Sequence, residues 1–335
     1  MKGGDVLVNL DSIKILVPNG CINSFTTRGE CLNRYDKLGE LIIDKIDYDK
    51  LGDRGLNRIS IDNLKNTTTI EVSAKILGKD YVQGINKNNI EYVLQTINDK
   101  NYVKFNSNSF IDNATLLRMD VTDNVKMQLL DRTILYKTLS TIPLPKVIQT
   151  TLNNTKQNLG VTWKGTQTSL KDRMIAYDKA IQLKFKDKSL HKTDYCNKVM
   201  NDFKDVIRFE QNLVSLEAIR GYYKTNNLKD VLISDVKANY LKFDKMTRDN
   251  KELVLFEDEF YGMNFKQIRN RLGDERIIDM HNFDWNRILN FIKIHNKNNW
   301  CRYQKDLIKV FKTMQQKKGN EQSLINTIKK ELLYA

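Results

Sequence analysis

The stretch Leu116-Leu117-Arg118-Met119-Asp120-Val121-Thr122 alternates apolar residues with charged or polar ones. In a β-strand, successive side chains point to opposite faces of the sheet. The pattern therefore predicts a strand that presents Arg118, Asp120 and Thr122 on one face. The other face is apolar and carries Leu117, Met119 and Val121.

Three more segments share this period of two, namely Thr69–Lys75, Arg173–Lys179 and Val206–Glu210. We predict that all four strands belong to one antiparallel sheet of an α+β fold with flanking helices. An antiparallel sheet can keep one face polar. Carboxylates, cations and a tyrosine would then share one face, a combination that suits metal-assisted phosphoryl chemistry.

The hydrophobic period changes after about residue 215. Trp285, Ile288 and Ile292 have the spacing of one helical face, which predicts a mainly helical C-terminal region. We therefore predict two domains, 1–225 and 226–335. From residue 286 onward the chain has 11 cationic and three acidic residues. This basic region is either a DNA-binding face or an ordinary solvated surface.

The composition is that of a globular protein with an anionic partner. The 335 residues are 40% hydrophobic and 29% charged, and the net charge is +14. Lysine and arginine neutralise phosphates, so DNA is the first candidate partner, although a basic surface can also serve solubility alone. The chain lacks an apolar run of about 18 residues and a signal-peptide core, so we expect a cytoplasmic protein without a membrane partner.

The dispersed cysteines and histidines argue against a zinc or redox motif. None of the four cysteines and three histidines forms a close pair in the sequence. A catalytic metal would therefore be a hard cation with oxygen ligands, Mg²⁺ or Mn²⁺. Asp120 and Glu210 are the first choices as ligands, and Glu71 is the third.

Tyr177 is the candidate nucleophile, because a tyrosine can attack a DNA phosphodiester and form a phosphotyrosyl link. A free tyrosine has a pKa near 10, so it needs activation. Lys179, two residues further on the same predicted strand face, is the candidate activator. The cations proposed to contact DNA are Arg118, Arg208, Lys75 and Arg173.

Structural alternatives exist for each of these residues. Tyr177 also suits a half-buried strand aromatic, and Lys179 a solvated strand end. The Arg118–Asp120 and Arg208–Glu210 pairs also suit structural salt bridges between strands. Tyr222-Tyr223 is a competing nucleophile pair, although adjacent helical tyrosines are more often packing residues.

Taken in order, these segments resemble the rolling-circle replication initiators of filamentous phages, the nicking-closing proteins. The pieces that carry the resemblance are Asp11–Ile15, Ile70–Leu77, Leu117–Thr122, Val161–Trp163 with Met174–Lys179, and Val206–Glu210. The Tyr-Asp-Lys and Arg-Phe-Glu pieces also resemble staphylococcal-type plasmid initiators. The resemblance covers residues 5 to 225, and the paired histidines of the wider superfamily are missing.

The resemblance implies an initiator endonuclease fold and a metal-dependent enzyme that nicks and rejoins one DNA strand at an origin. It implies a phage or plasmid replicon in a bacterial host cell, with host helicase and polymerase as further candidate partners. The first alternative is a non-enzymatic, duplex-binding regulator of copy number or transcription. The second is a packaging protein that coats nucleic acid without sequence preference.

Overall fold

A computed structural model describes most of the chain. The described residues are 7–26, 30–35, 37, 40–49, 53–127, 136, 139, 149–155, 158–164, 172–248, 262–281, 284–296 and 298–334. The chain divides into two compact units, residues 1–246 with 329–335, and residues 247–328. The functional division predicted at 225/226 stays a prediction.

Twelve strands lie in the described residues. They are β1 (Leu10–Pro18), β2 (Ile22–Phe25), β3 (Glu30–Tyr35), β4 (Leu41–Asp49), β5 (Leu56–Asp62), β6 (Thr67–Ser73), β7 (Val103–Phe105), β8 (Thr115–Lys126), β9 (Gln149–Thr155), β10 (Asn158–Lys164), β11 (Asp172–Asp178) and β12 (Val206–Leu213).

Ten helices accompany them in the same residues. They are α1 (Ile90–Asp99), α2 (Ser107–Asn113), α3 (Lys179–Lys186), α4 (Cys196–Asp202), α5 (Leu216–Tyr223), α6 (Leu228–Leu232), α7 (Ala238–Arg248), α8 (Phe265–Met280), α9 (Trp285–His295) and α10 (Trp300–Tyr334). Short 3-10 segments cover Asn19–Cys21, Ala74–Gln83 and Leu190–Lys192.

The predicted antiparallel α+β fold is confirmed, including its helical C-terminal region. Ten strands form one sheet in the order β3-β4-β5-β6-β1-β8-β12-β11-β10-β9. The four strands with charged residues, β6, β8, β11 and β12, belong to this sheet, and β1 lies between β6 and β8. Distant parts of the chain therefore meet at the centre of the sheet.

The register puts the predicted polar residues on one face. Asp120 pairs with Ser12 on one side and with Asn212 on the other. Arg208 pairs with Tyr177. Directly paired residues point to the same face, so these side chains form one polar surface across β1, β8, β12 and β11.

The opposite face of the sheet carries the hydrophobic core. Ile13, Ile15 and Met119 are buried there, in one cluster with Val93 and Leu94 of α1. The polar face is also partly covered, because Tyr81 of the 3-10 segment Ala74–Gln83 is fully buried beside the charged residues. Period-two alternation predicts which face a side chain takes, but not what packs over it.

Two β-bulges interrupt the pairing of β1 with β8. The register skips Asp11 between Leu10 and Ser12, and it skips Leu117 opposite the step from Lys14 to Ile15. A bulge places an extra residue on one strand and bends it locally. The predicted alternation of Leu117 with Met119 is therefore wrong at that position, and Leu116 is the residue that pairs with Ile15.

Two predicted strands end earlier than expected. β6 ends at Ser73, so Lys75 lies in the 3-10 segment that follows. β11 ends at Asp178, and Lys179 is the first residue of α3. The Asp178 side chain accepts a hydrogen bond from the Ile181 amide, which is an N-cap that starts the helix at this point.

The second unit has a separate hydrophobic core, formed by residues of α8, α9 and α10. Ile268, Ile277, Ile288 and Leu307 are buried in it. Ile288 and Ile292 of α9 are both buried, as the helical spacing predicts. In the described residues, no helix combines the length and the hydropathy needed to cross a bilayer.

Candidate active site

Tyr177 lies near the end of β11, on the polar face. Its ring is buried, with 5% of the residue exposed. The hydroxyl group donates to Glu210 Oε2 at 2.7 Å. The Tyr177 hydroxyl oxygen also accepts a hydrogen bond from Lys179 Nζ at 3.2 Å. The phenol oxygen thus lies between an acceptor for its proton and a cation.

Lys179 reaches Tyr177 although it is not on the strand. It is buried at the first turn of α3, and its ammonium lies 5.2 Å from the Tyr81 ring centroid and 5.5 Å from that of Tyr177. Asp11 Oδ2 lies 3.8 Å from Lys179 Nζ. Aromatic faces and a carboxylate therefore hold this ammonium group beside the phenol oxygen.

Asp120 and Glu210 converge on Asn212. The amide nitrogen of Asn212 donates to Asp120 Oδ1 at 2.7 Å and to Glu210 Oε1 at 2.9 Å. Ser12 Oγ donates to the second Asp120 oxygen at 2.8 Å. The two carboxylates predicted as metal ligands are thus brought together from adjacent strands.

Asp11 is a functional candidate that the sequence analysis did not select. Its Oδ1 accepts from Nη1 of Arg208, whose Nε donates to Asn124 Oδ1 at 2.9 Å. Arg208 is fully buried, and its guanidinium lies 4.9 Å from the Phe203 ring centroid. The bulge at Asp11 breaks the period of two, so alternation alone gave no signal for this residue.

Burial and charge set the protonation states of this cluster. Burial and the charge of Glu210 raise the pKa of Tyr177 well above 10. Burial lowers the pKa of Lys179 to about 8, against the opposing effect of Asp11. Burial and the nearby Asp11 raise the pKa of Glu210. The tyrosine is therefore protonated at neutral pH, with its proton already directed at a carboxylate.

Asp11 stays ionised despite its surroundings. Burial alone would raise its pKa, but the charges of Lys179 and Arg208 lower the pKa of Asp11 to about 2. A buried carboxylate with two cationic neighbours is well compensated. Asp11 therefore holds both cations on the Tyr177 side of the sheet.

The remaining predicted site residues lie around this cluster. Arg118 is 48% exposed at its side chain, and Nη2 lies 3.4 Å from Asp120 Oδ2. Arg173 Nε donates to Asn212 Oδ1 at 2.8 Å. Lys75 forms an ion pair with Asp187 at 3.1 Å. Each of these cations, like Arg208, contacts a side chain of the protein. The DNA contacts predicted for them stay predictions.

Glu71 is not brought to Asp120 and Glu210. It lies on β6, and its Oε1 forms an ion pair with Lys14 Nζ at 2.7 Å. Lys14 stands between Glu71 and Arg118 in the register. The proposed role of Glu71 as third ligand stays a prediction.

The competing pair Tyr222-Tyr223 lies at the end of α5. Tyr223 is buried, and burial together with the charge of Asp123 raises its pKa above the ordinary value. No lysine of the described residues donates to the Tyr223 hydroxyl group. Of Tyr177 and Tyr223, it is therefore Tyr177 whose hydroxyl group contacts both a cation and an acceptor.

Asp120 and Glu210 are oxygen ligands of the type that a hard cation takes, and the amide group of Asn212 lies between them. Within the described ranges, no three His, Cys, Asp or Glu side chains are grouped to hold a metal ion. Mg²⁺ is usually bound by one or two carboxylates together with water and substrate phosphates. Asp120 and Glu210 supply two such carboxylates, because one oxygen of each lies within hydrogen-bond distance of the same nitrogen atom.

Comparison with known proteins finds weak likeness among solved structures. No family model matches the chain, and no curated protein matches it significantly. A rolling circle replication initiator protein from Geobacillus stearothermophilus is similar with 11% sequence identity and a TM-score of 0.27. The likeness covers 61% of this chain and 72% of that chain. At this TM-score it carries no argument about function.

Proposed function

We propose that this protein is a rolling-circle replication initiator that nicks and rejoins one DNA strand through Tyr177. The observation that supports the proposal most strongly is the paired contact of the Tyr177 hydroxyl group with Glu210 and Lys179. The order of the strand motifs along the chain adds independent support. The net charge of +14 suits a DNA substrate.

The proposed reaction is a transesterification. Tyr177 Oη attacks the scissile phosphorus while its proton passes to Glu210 Oε2. The bond from phosphorus to the 3′ oxygen breaks, and that oxygen leaves as a 3′ hydroxyl group after taking up a proton. The 5′ phosphate stays on the tyrosine, and attack by a 3′ hydroxyl group reverses each step and rejoins the strand.

The other residues of the site stabilise charge in this reaction. Lys179 lies beside the phenol oxygen and balances its developing negative charge. Asp11, which is itself paired with Arg208, keeps Lys179 in this position. Asp120 and Glu210 Oε1 would hold Mg²⁺ or Mn²⁺, and such a cation would polarise the scissile phosphate.

The experiment is a covalent-adduct assay. A randomised single-stranded oligonucleotide pool with a 3′ label is incubated with the protein and Mn²⁺, then separated on a denaturing gel. We expect labelled protein from wild type and none from Tyr177→Phe or after EDTA. Full labelling of Tyr177→Phe would exclude the nucleophile, and labelling unaffected by EDTA would exclude the metal. DNA binding without any adduct would favour the regulator of copy number or transcription.

A further inference from the structure

The segment from Lys184 to Lys192 forms an exposed cationic surface that follows Lys179 in the chain. Lys184, Lys186, Lys188 and Lys192 are all exposed, and the structure places no acidic partner beside them among the residues it describes. Asp187, the one acidic residue between Lys179 and Lys192, is buried and paired with Lys75. The four ammonium groups are therefore unneutralised; below, the segment is called the 184–192 surface.

An aromatic ring stands within this surface. Phe185 is 42% exposed, and Lys184 Nζ lies 5.7 Å from its ring centroid. Single-stranded DNA is bound by cationic grooves that follow the backbone and by aromatic side chains on which unpaired bases stack. The 184–192 surface has exposed cationic side chains and an exposed aromatic ring.

Its position relative to the nucleophile is fixed by α3. The helix starts at Lys179, whose ammonium contacts the Tyr177 hydroxyl group. At about 1.5 Å per residue, Lys186 lies about 10 Å from Lys179 along the helix axis. The lysines at the end of α3 are therefore about two helical turns from the residue that contacts the phenol oxygen.

We propose that the 184–192 surface binds the single-stranded DNA that flanks the scissile phosphate. This inference rests on the proposed nicking function and names the surface that holds its substrate. The cations predicted from the strand pattern contact polar or acidic protein side chains instead, whereas the described part of the chain supplies no acidic partner to these four lysines. A purely structural reading is that Lys184 and Lys186 stabilise the C-terminus of α3 through its dipole.

The test measures binding of fluorescein-labelled dT20 by anisotropy over a range of salt concentrations. Each phosphate contact adds about 0.7 to the slope of log K against log salt for single strands. We expect the slope of K184Q/K186Q/K188Q/K192Q to be shallower than that of wild type by about 3. The charge-preserving K184R/K186R/K188R/K192R should keep it, and Phe185→Ala should weaken binding about tenfold with an unchanged slope.

A matched control removes four exposed lysines from other parts of the chain, K65Q/K126Q/K224Q/K245Q, with the same change in net charge. Its slope should fall by less than one. An equal fall in both variants would show a non-specific charge effect and overturn the inference, as would an unchanged slope in K184Q/K186Q/K188Q/K192Q. Thermal melting confirms that each variant is folded, and Phe185→Ala provides a second test if the quadruple variant is not.

The binding test and the covalent-adduct assay can fail independently of each other. Tyr177→Phe should bind dT20 with the wild-type slope. If wild type forms no covalent adduct but the slope falls as expected, the nicking function fails and the binding surface stands. If the adduct forms and the slope is unchanged, the binding surface fails and the nicking function stands.

Discussion

Gly160 lies directly opposite Tyr177, on the neighbouring strand β10, and leaves no room for a side chain. A Cβ atom at Gly160 would come within 2.6 Å of the Ala176 carbonyl oxygen and 2.7 Å of Tyr177 Cβ. These atoms belong to the backbone or its first side-chain carbon, so they cannot rotate away. The close approach of β10 to β11 therefore fixes the strand that carries the nucleophile.

Gly160→Ala should displace β11 at Tyr177. We expect a loss of about 1–3 kcal/mol in the free energy of unfolding, the usual range for overpacking, and a loss of adduct formation in the protein that remains folded. The control is Gly221→Ala in α5, where a Cβ would meet nothing within 4 Å. Chemical denaturation and the adduct assay measure both effects, and wild-type adduct formation in Gly160→Ala would refute this role.

Asp11→Asn should destabilise the fold, because it leaves Arg208 and Lys179 without their shared carboxylate. Removing one partner of a buried ion pair typically costs about 3–5 kcal/mol. Asp112→Asn, which removes the exposed partner of Lys229, should leave the denaturation midpoint unchanged. Equal midpoints for Asp11→Asn and wild type would show that the buried cluster does not need Asp11.

Lys179→Met should lower the rate of adduct formation by about 100-fold, the size of effect seen when one preorganised donor is removed from a transition state. Lys179→Arg keeps the positive charge and should retain more activity than the methionine variant. Single-turnover labelling of the protein measures both rates. Equal rates in Lys179→Met and wild type would exclude a catalytic function of the ammonium group.

The stability of the protein should depend on Asp187 in acid. Burial opposes ionisation of Asp187, but the Ser189 hydrogen bond and the charge of Lys75 lower its pKa from 3.8 to about 2. Because the folded-state pKa is the lower one, the stabilisation is complete above about pH 4 and disappears as the pH falls towards 2. Denaturation of wild type and Asp187→Asn should differ on the order of 1 kcal/mol at pH 7, after solvent screening, and converge near pH 2. A constant difference from pH 7 to pH 2 would contradict this.

The strands of the sheet could be predicted from the sequence because alternation of apolar and polar residues is a local pattern. Alternation in Leu116–Thr122 and Val206–Glu210 gives the face of each side chain without any knowledge of its neighbours. The order of the strands was not accessible from alternation. That Asn212 lies between Asp120 and Glu210 depends on the pairing of β8 with β12, which joins residues about 90 positions apart.

Features that depend on packing or on irregular backbone escaped the sequence pattern. Asp11 lies in a bulge, where the period of two is broken. Tyr81 and Phe203 pack over the guanidinium of Arg208. Alternation predicts the face of the sheet that a side chain takes, but not how deeply that side chain is buried. The end of β11 does have a local sequence signal, because an aspartate directly before a helix is a typical N-cap. Asp178 has this position, whereas the alternation continues to Lys179.

The most direct test of the central claim is peptide mapping of a trapped protein–oligonucleotide adduct by mass spectrometry. The protein is incubated with the oligonucleotide pool and Mn²⁺, denatured, digested with trypsin and nuclease, and searched for a nucleotide mass on tyrosine. We predict that the modified residue is Tyr177. A modification on Tyr222 or Tyr223, or the absence of any tyrosine adduct under conditions where nicking occurs, would contradict the proposed chemistry.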